Sequence, residues 1–199
     1  MQEKRIIKQT CMLALNFKPF PVLETDRLIL RKITKHDIKD LLFLRSNADV
    51  MLYLDTAKAN GTREIKDLIT KIDTGLKMNT AIGWGISLKD TEELIGTISY
   101  HRIEKDHHRA EIGYILKPAY WQKGITSEAL TSIIAYGFYK MNLHSIEATV
   151  NPANKGSIRL LEKSGFIKEA YFKENHCYNG VFLDSAVYSL LKSHSTNNL

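Results

Sequence analysis

The sequence predicts an α+β protein, with a mixed, mostly antiparallel central sheet flanked by helices in the order βααβββαβαββ. Three observations lead there. Extended runs bounded by turn residues crowd positions 81–116, the pattern of an antiparallel meander. In residues 126–141, Leu130, Ile133, Ile134, Gly137, Phe138 and Met141 fall on one helical stripe, as expected of a helix packed against a sheet. Near the carboxyl end, Asn179-Gly180 separates two further extended runs, a hairpin signal.

Taken in order, the alternation in Leu28-Ile29-Leu30-Arg31-Lys32-Ile33 reads as a first strand. Thr34 or Asp37 then caps a helix through Leu41, Leu42 and Leu44. Asn60-Gly61-Thr62 breaks the chain before a second helix carrying Ile65, Leu68, Ile69 and Ile72, with a stop at Thr74-Gly75. Strands follow at 81–88, 93–103 and 109–116, joined by turns at 89–92 and 104–108. Pro118 ends the third of these, and the helix of 126–141 comes next. Residues 145–150 read as a buried strand, and Asn151-Pro152-Ala153-Asn154 opens a helix that Gly165 stops. Residues 166–173 and 181–190 close the fold as a hairpin.

A chain of 199 residues, 44% hydrophobic and 25% charged, has the composition of one soluble globular domain. The short apolar run Cys11-Met12-Leu13-Ala14-Leu15 follows Lys4, Arg5 and Lys8 but lacks the length and small-residue site of a signal peptide. No stretch reaches the roughly 18 apolar residues of a membrane span. With only Cys11 and Cys177, neither a disulfide framework nor a zinc site is indicated. His101, His107 and His108 lack a carboxylate-rich frame, so no metal is expected. A cytoplasmic protein without membrane association is the expectation. The net charge of +6 suits an anionic ligand, while the absence of a basic block interleaved with aromatics argues against nucleic acid.

The segment Tyr120-Trp121-Gln122-Lys123-Gly124-Ile125-Thr126-Ser127-Glu128 carries the most chemistry. It joins an extended run to a helix through a short polar turn. The first N–H groups of such a helix have no intrahelical partners, and the aligned peptide dipoles place positive charge there. An anion is stabilised at that end. Gly124 permits a close backbone approach and Lys123 adds charge. The alternative is an ordinary turn capped by Thr126 or Ser127.

Four pieces, in register, resemble the GNAT superfamily of acyl-CoA-dependent N-acetyltransferases, and within it the branch of ribosomal-protein N-terminal alanine and serine acetyltransferases. Glu24-Thr25-Asp26-Arg27-Leu28-Ile29-Leu30-Arg31 resembles the branch's opening strand, and Ala110-Glu111-Ile112-Gly113-Tyr114-Ile115-Leu116 with Pro118 its central strand. Trp121 to Leu130 is similar to its pyrophosphate loop and helix, and Asn151 to Phe166 to its late asparagine-serine helix. The resemblance covers about Val22 to Leu191. It implies an acetyltransferase domain over 22–192, with 1–21 as an N-terminal extension and 193–199 as a tail.

The resemblance further implies that acetyl-CoA, as co-substrate, lies in a wedge where the central strand and the next one splay apart. Pantetheine would pair with the backbone of Tyr114, Ile115 and Leu116, and the diphosphate would rest on Gln122, Lys123, Gly124, Ile125, Thr126 and Ser127. Asn151 or Asn154, with Asn154 preferred, would meet the pantetheine amides, and the Ser157 hydroxyl would lie near the sulfur as a proton donor to the thiolate. Two departures stand out. Gln122 and Thr126 occupy positions where glycine or alanine is usual, and Leu161 stands where many relatives carry a tyrosine acid. Tyr188, in the last strand, is a weaker substitute.

Acetyl transfer needs a neutral amine. At pH 7 an α-amine is roughly 15% neutral and a lysine roughly 0.04%, so an α-amine needs only a mild base. Period-2 alternation puts Glu111, Gly113 and Ile115 on one face and Ala110, Ile112, Tyr114 and Leu116 on the other. Glu111 is either the base or amine ligand, or the partner of a nearby cation. Trp84 and Trp121 read as packing residues, Trp121 also as a cover for the channel. The expected function is transfer of acetyl from acetyl-CoA to a primary amine through a tetrahedral intermediate. The first choice of acceptor is a protein or peptide N-terminus, the second a small-molecule amine such as an antibiotic or polyamine. A non-catalytic acyl-CoA-binding protein is the remaining alternative, and a homodimer is compatible with all three.

Overall fold

The computed structural model describes residues 12–195, so Cys11 lies outside the described residues. Eight strands form one sheet in the order β1-β2-β3-β4-β5-β6-β8-β7. They are β1 (Leu23–Glu24), β2 (Leu28–Lys32), β3 (Ile82–Leu88), β4 (Gly96–Glu104), β5 (Arg109–Leu116), β6 (Ser145–Val150), β7 (Ile167–Tyr178) and β8 (Val181–Leu191). The helices are α1 (Ile38–Ser46), α2 (Ala48–Met51), α3 (Thr62–Lys77), α4 (Ile125–Tyr139), α5 (Lys155–Lys163) and α6 (Lys192–Ser195). Among these strands only β5 and β6 pair in parallel, because the connection between them contains α4, and a parallel return needs such a crossover.

Helices cover both faces of the sheet. On one face the core gathers Leu30, Trp84, Ile98, Tyr100 and Ile112 under Leu130, Ile133, Ile134 and Phe138 of α4 and Leu161 of α5. Tyr100 is fully buried, and its hydroxyl donates to the Ile133 carbonyl at 2.6 Å. Gly137 makes that approach feasible, since a methyl at this position would overlap the Tyr100 hydroxyl. The other face holds a smaller cluster of Ile33, Leu41, Leu44, Ile65, Ile69 and Leu94 between β2 and helices α1 and α3.

The periodic elements match the sequence reading, and the differences have local causes. α3 runs past Gly75 to Lys77, since tertiary burial at Leu76 offsets glycine's low helix propensity. The strand expected from residue 93 begins at Gly96, and Ile95 instead bridges two strand ends, donating to Ile86 O at 2.9 Å and accepting from Lys117 N at 2.8 Å. β1 and α2, two and four residues long, are too short to generate a period. β7 extends to Tyr178, with register shifts at Lys168/Ala170 and Phe172/His176. Leu13 and Phe17, before the boundary placed at Val22, are buried in the main core. Residues 192–195 form α6 at the opposite end. Trp84 is a packing residue as expected, fully buried with Nε1 donating to Pro21 O at 2.7 Å.

Candidate active site

The turn before α4 is built from two left-handed residues, Gln122 at φ 57° and Gly124 at φ 76°. α4 starts at Ile125 with Gly124 as its N-cap residue, and no side chain caps it. Thr126 and Ser127 therefore lie inside the first turn rather than at the cap, and the leading N–H groups stay available to a ligand. Glu128 anchors this turn to the β1–β2 connection: it accepts from Thr25 Oγ1 at 2.5 Å, Arg27 N at 2.9 Å and Arg27 Nε at 2.7 Å. Burial alone would raise the Glu128 pKa, but these donors outweigh it and hold the carboxyl below its usual range. Arg27 also donates to Lys123 O at 3.0 Å. Its guanidinium lies beside Gly124, adding a cation to the turn that sequence reading missed.

β5 and β6 pair only over Arg109↔Ser145, Ala110↔Ile146 and Glu111↔Glu147. β5 continues to Leu116 with β4 on its other side, so residues 112–116 face the gap with backbone groups that β6 does not take. Tyr114 and Ile115 lie along this open edge. Leu116 is partly engaged already, since its carbonyl accepts from Trp121 Nε1 at 2.8 Å. That bond, together with the 42% exposure of Trp121, makes this tryptophan a clip between β5 and the turn rather than a core residue.

Across the gap, α5 brings Ser157 to β5. Ser157 Oγ and the Tyr114 hydroxyl are 2.6 Å apart. Burial pushes the Tyr114 phenol up to about 12 against the opposing hydrogen bond from Ser157, so both hydroxyls keep their protons at neutral pH. Asn154 is the N-cap of α5, its Oδ1 accepting from Ser157 N at 3.0 Å. Asn151 Oδ1 accepts from Ala153 N at 2.9 Å in the preceding turn. Leu161 is buried. Tyr188 faces Glu162, 3.5 Å from its Oε1.

Glu111, the last β5 residue paired to β6, is 7% exposed. Its Oε1 lies 3.6 Å from His101 Nε2 and its Oε2 3.1 Å from Arg102 Nη1. The Arg102 contact is close but poorly aligned, so Oε2 is buried without a hydrogen bond among the described residues. Burial would raise this pKa, yet His101, Arg102 and the Thr149 hydroxyl together hold it below the usual carboxylate range. Gly113 leaves room for the His101 ring, which would stand 3.1 Å from a Cβ there. On the same face, α1, α3 and the sheet enclose a cavity of about 300 Å³ lined by His101, Ser99, Thr97, Ile115, Leu41 and Arg45, among others.

The contacts tie the uncapped turn to the end of β5 through Trp121 and Ser157 to β5 through Tyr114, while Glu111 lies on the side of α1 and α3 and Asn151 and Asn154 make only local bonds. His101, Arg102 and the Tyr114 hydroxyl were not legible as site groups, because the β4–β5 register brings the first two against Glu111 and the packing of α5 on β5 brings the third to Ser157. Among the described residues no group of three His, Cys, Asp or Glu side chains could hold a metal, and no helix is long and apolar enough to cross a membrane.

Comparison with known proteins agrees with this geometry. The sequence model of the acetyltransferase (GNAT) domain matches residues 27–167. An uncharacterised N-acetyltransferase of Bacillus subtilis, YoaA, is 39% identical over 87% of this chain and 98% of its own length. The ribosomal protein uS5-alanine N-acetyltransferase of Escherichia coli is 31% identical over 57% of this chain and 59% of its own. The structure of a spermidine N-acetyltransferase from Vibrio cholerae, in complex with CoA and spermine, has a TM-score of 0.77 and 25% identity, covering 87% of this chain and 100% of its own. The chain belongs to the GNAT acetyltransferase family. It is an N-acetyltransferase whose co-substrate is acetyl-CoA, and the uncapped α4 turn and the open edge of β5 fit that donor.

Proposed function

We propose that the acceptor is the α-amine of a protein or peptide N-terminus. The observation that carries this reading is Glu111: a buried carboxylate at the mouth of the gap, with one oxygen lacking an aligned donor and a pKa held low by His101 and Arg102. Such a carboxylate accepts hydrogen bonds from an incoming amine well but is a weak base. A weak base suffices for an α-amine, roughly 15% neutral at pH 7, and serves poorly for an amine of lysine-like pKa, roughly 0.04% neutral. The relative that acetylates an alanine of ribosomal protein uS5 supports the same choice. A polyamine, as named for the Vibrio cholerae neighbour, is the second reading.

The diphosphate of acetyl-CoA is assigned to the backbone of residues 122–127 with Lys123 and Arg27, and its pantetheine to the open edge at Tyr114 and Ile115 and the Asn154 amide. The amine nitrogen attacks the thioester carbonyl from the Glu111 side, the C–N bond forms, and the C–S bond breaks. The surplus amine proton leaves to Glu111 or to water it holds. Ser157, hydrogen-bonded to Tyr114, donates a hydrogen bond to the departing thiolate and passes it a proton that solvent returns to the hydroxyl pair, so that no alkoxide is left, and in this way replaces the tyrosine acid missing at Leu161.

Acetyl-CoA at 100 times its dissociation constant should add about 2.7 kcal/mol of stability, a rise in Tm of roughly 5 to 11 °C for a chain this size. The Ser157→Ala variant should keep that rise and lose about 100-fold in kcat on an alanine-initiated peptide. Unchanged turnover would remove Ser157 from proton transfer, and acetylation of spermidine in preference to any peptide would replace the α-amine reading.

A further inference from the structure

We infer that the acceptor cavity selects an amine whose chain also carries a carboxylate, with Arg45 as the residue that reads it. The inference rests on the α-amine reading and specifies the acceptor within it. The cavity of about 300 Å³ under α1 and α3 is lined mainly by apolar side chains, and its basic members are Arg45, Lys71 and His101. No Asp or Glu is among the lining residues. Glu111, outside the lining, can take one amine, but the further positive charges of a polycation would meet like charge and no carboxylate along the cavity, a costly arrangement in a partly desolvated site.

Arg45 differs from several other buried or half-buried cations among the described residues. Arg31 is paired with Asp37 at 2.7 Å, Arg109 with Glu104 at 3.0 Å, and Lys117 with Asp40 at 2.7 Å and Glu93 at 2.6 Å. Arg45 holds no carboxylate among the described residues. Its side-chain hydrogen bond goes from Nη2 to the Thr56 hydroxyl at 3.1 Å, and burial, with no compensating anion, lowers its pKa. A guanidinium has five N–H donors in a planar fork suited to a carboxylate, so most of its binding capacity is unused here. The backbone of Arg45 is fixed independently, its carbonyl accepting from Ala59 N at 2.9 Å.

The cavity volume sits at the lower end of ligand pockets, room for a short terminal segment rather than a folded surface. Glu111 on the same sheet face orients the amine, and Arg45 on α1 then meets an anion further along the same chain. This sets direction as well as selectivity, because each end of the acceptor finds a group of opposite charge.

The test is a competition on the wild-type enzyme between alanine-initiated, amide-blocked tetrapeptides bearing Asp, Asn or Lys at the second or third position, with spermidine as a further acceptor. The aspartyl peptides should win in kcat/KM by about tenfold or more over their asparaginyl counterparts, mainly through KM, and the lysyl peptides and spermidine should be poorest. Arg45→Gln should bring aspartyl and asparaginyl peptides to near equality, and Arg45→Lys should keep part of the preference. Equal use of aspartyl and asparaginyl peptides by the wild type overturns this inference and leaves the α-amine reading intact. Preference for spermidine overturns both, as does failure to acetylate any peptide while acetyl-CoA still raises Tm. Should Arg45→Gln not fold, the wild-type series decides alone.

Discussion

Two helices begin at the edge of the same gap, and they begin in opposite ways. α5 is closed by its own side chain, with Asn154 Oδ1 on Ser157 N, whereas α4 follows a left-handed glycine and has no side-chain cap. A capped end has already met part of its hydrogen-bonding demand and serves as a rigid mount, here for the Ser157 hydroxyl. An uncapped end keeps its donors and its partial positive charge for something else. The division fits the proposed placement of diphosphate at α4 and of side-chain chemistry at α5.

Breaking the open end should have the larger effect. Gly124→Val forces a β-branched residue into φ 76°, a strain of about 1–3 kcal/mol that a shifted turn would relieve. Acetyl-CoA affinity should fall about 10- to 100-fold, read as loss of most of the ligand-induced rise in Tm. A full rise in the variant would move the diphosphate away from α4.

The closed end is separable into cap and ligand. Asn154→Ala should lower stability by about 1 kcal/mol, or roughly 2–4 °C in Tm. Asn154→Asp preserves the cap oxygen and should keep Tm within about 1 °C of wild type, while losing the amide N–H donors and weakening acetyl-CoA several-fold. If the aspartate variant binds acetyl-CoA normally, capping is the whole of that residue's role.

The smallest effect is expected at the anchor of the α4 turn. Glu128→Gln should lower stability by about 1 kcal/mol or less at pH 7, given the exposure of Arg27. Because the folded carboxyl titrates below its usual value, its contribution is full above the unfolded pKa and is lost as pH falls through the folded one. Urea midpoints of wild type and variant should therefore converge as the pH is lowered from about 5 to about 3. A gap that widened on acidification would contradict the assigned ion pair.

Much of this comparison was legible before any coordinates. Gly124 amid polar residues ahead of a helical stripe, and Asn154 three residues before Ser157, are local signals, and both helices start within a residue or two of where those signals place them. Glu111 was legible only as a carboxylate on a central strand with two open roles. Its partners His101 and Arg102 precede it by ten and nine residues, and nothing but the β4–β5 register, including the irregularity between His101 and Glu104, puts them against it. The pairing of Tyr114 with Ser157, 43 positions apart, and the pairing of Arg45 with the Thr56 hydroxyl rather than a carboxylate were equally out of reach.

By itself, then, the sequence determined the α+β class, the helix starts, and the anion-attracting turn, because each follows from neighbours within about one helical turn or one strand pleat. The tertiary structure decided where β5 leaves β6, which side chains stand against Glu111, and that Arg45, in the lining of the cavity under α1 and α3, has no carboxylate beside it among the described residues. Those outcomes depend on strand register and on contacts between residues distant in the chain, and no local pattern encodes either.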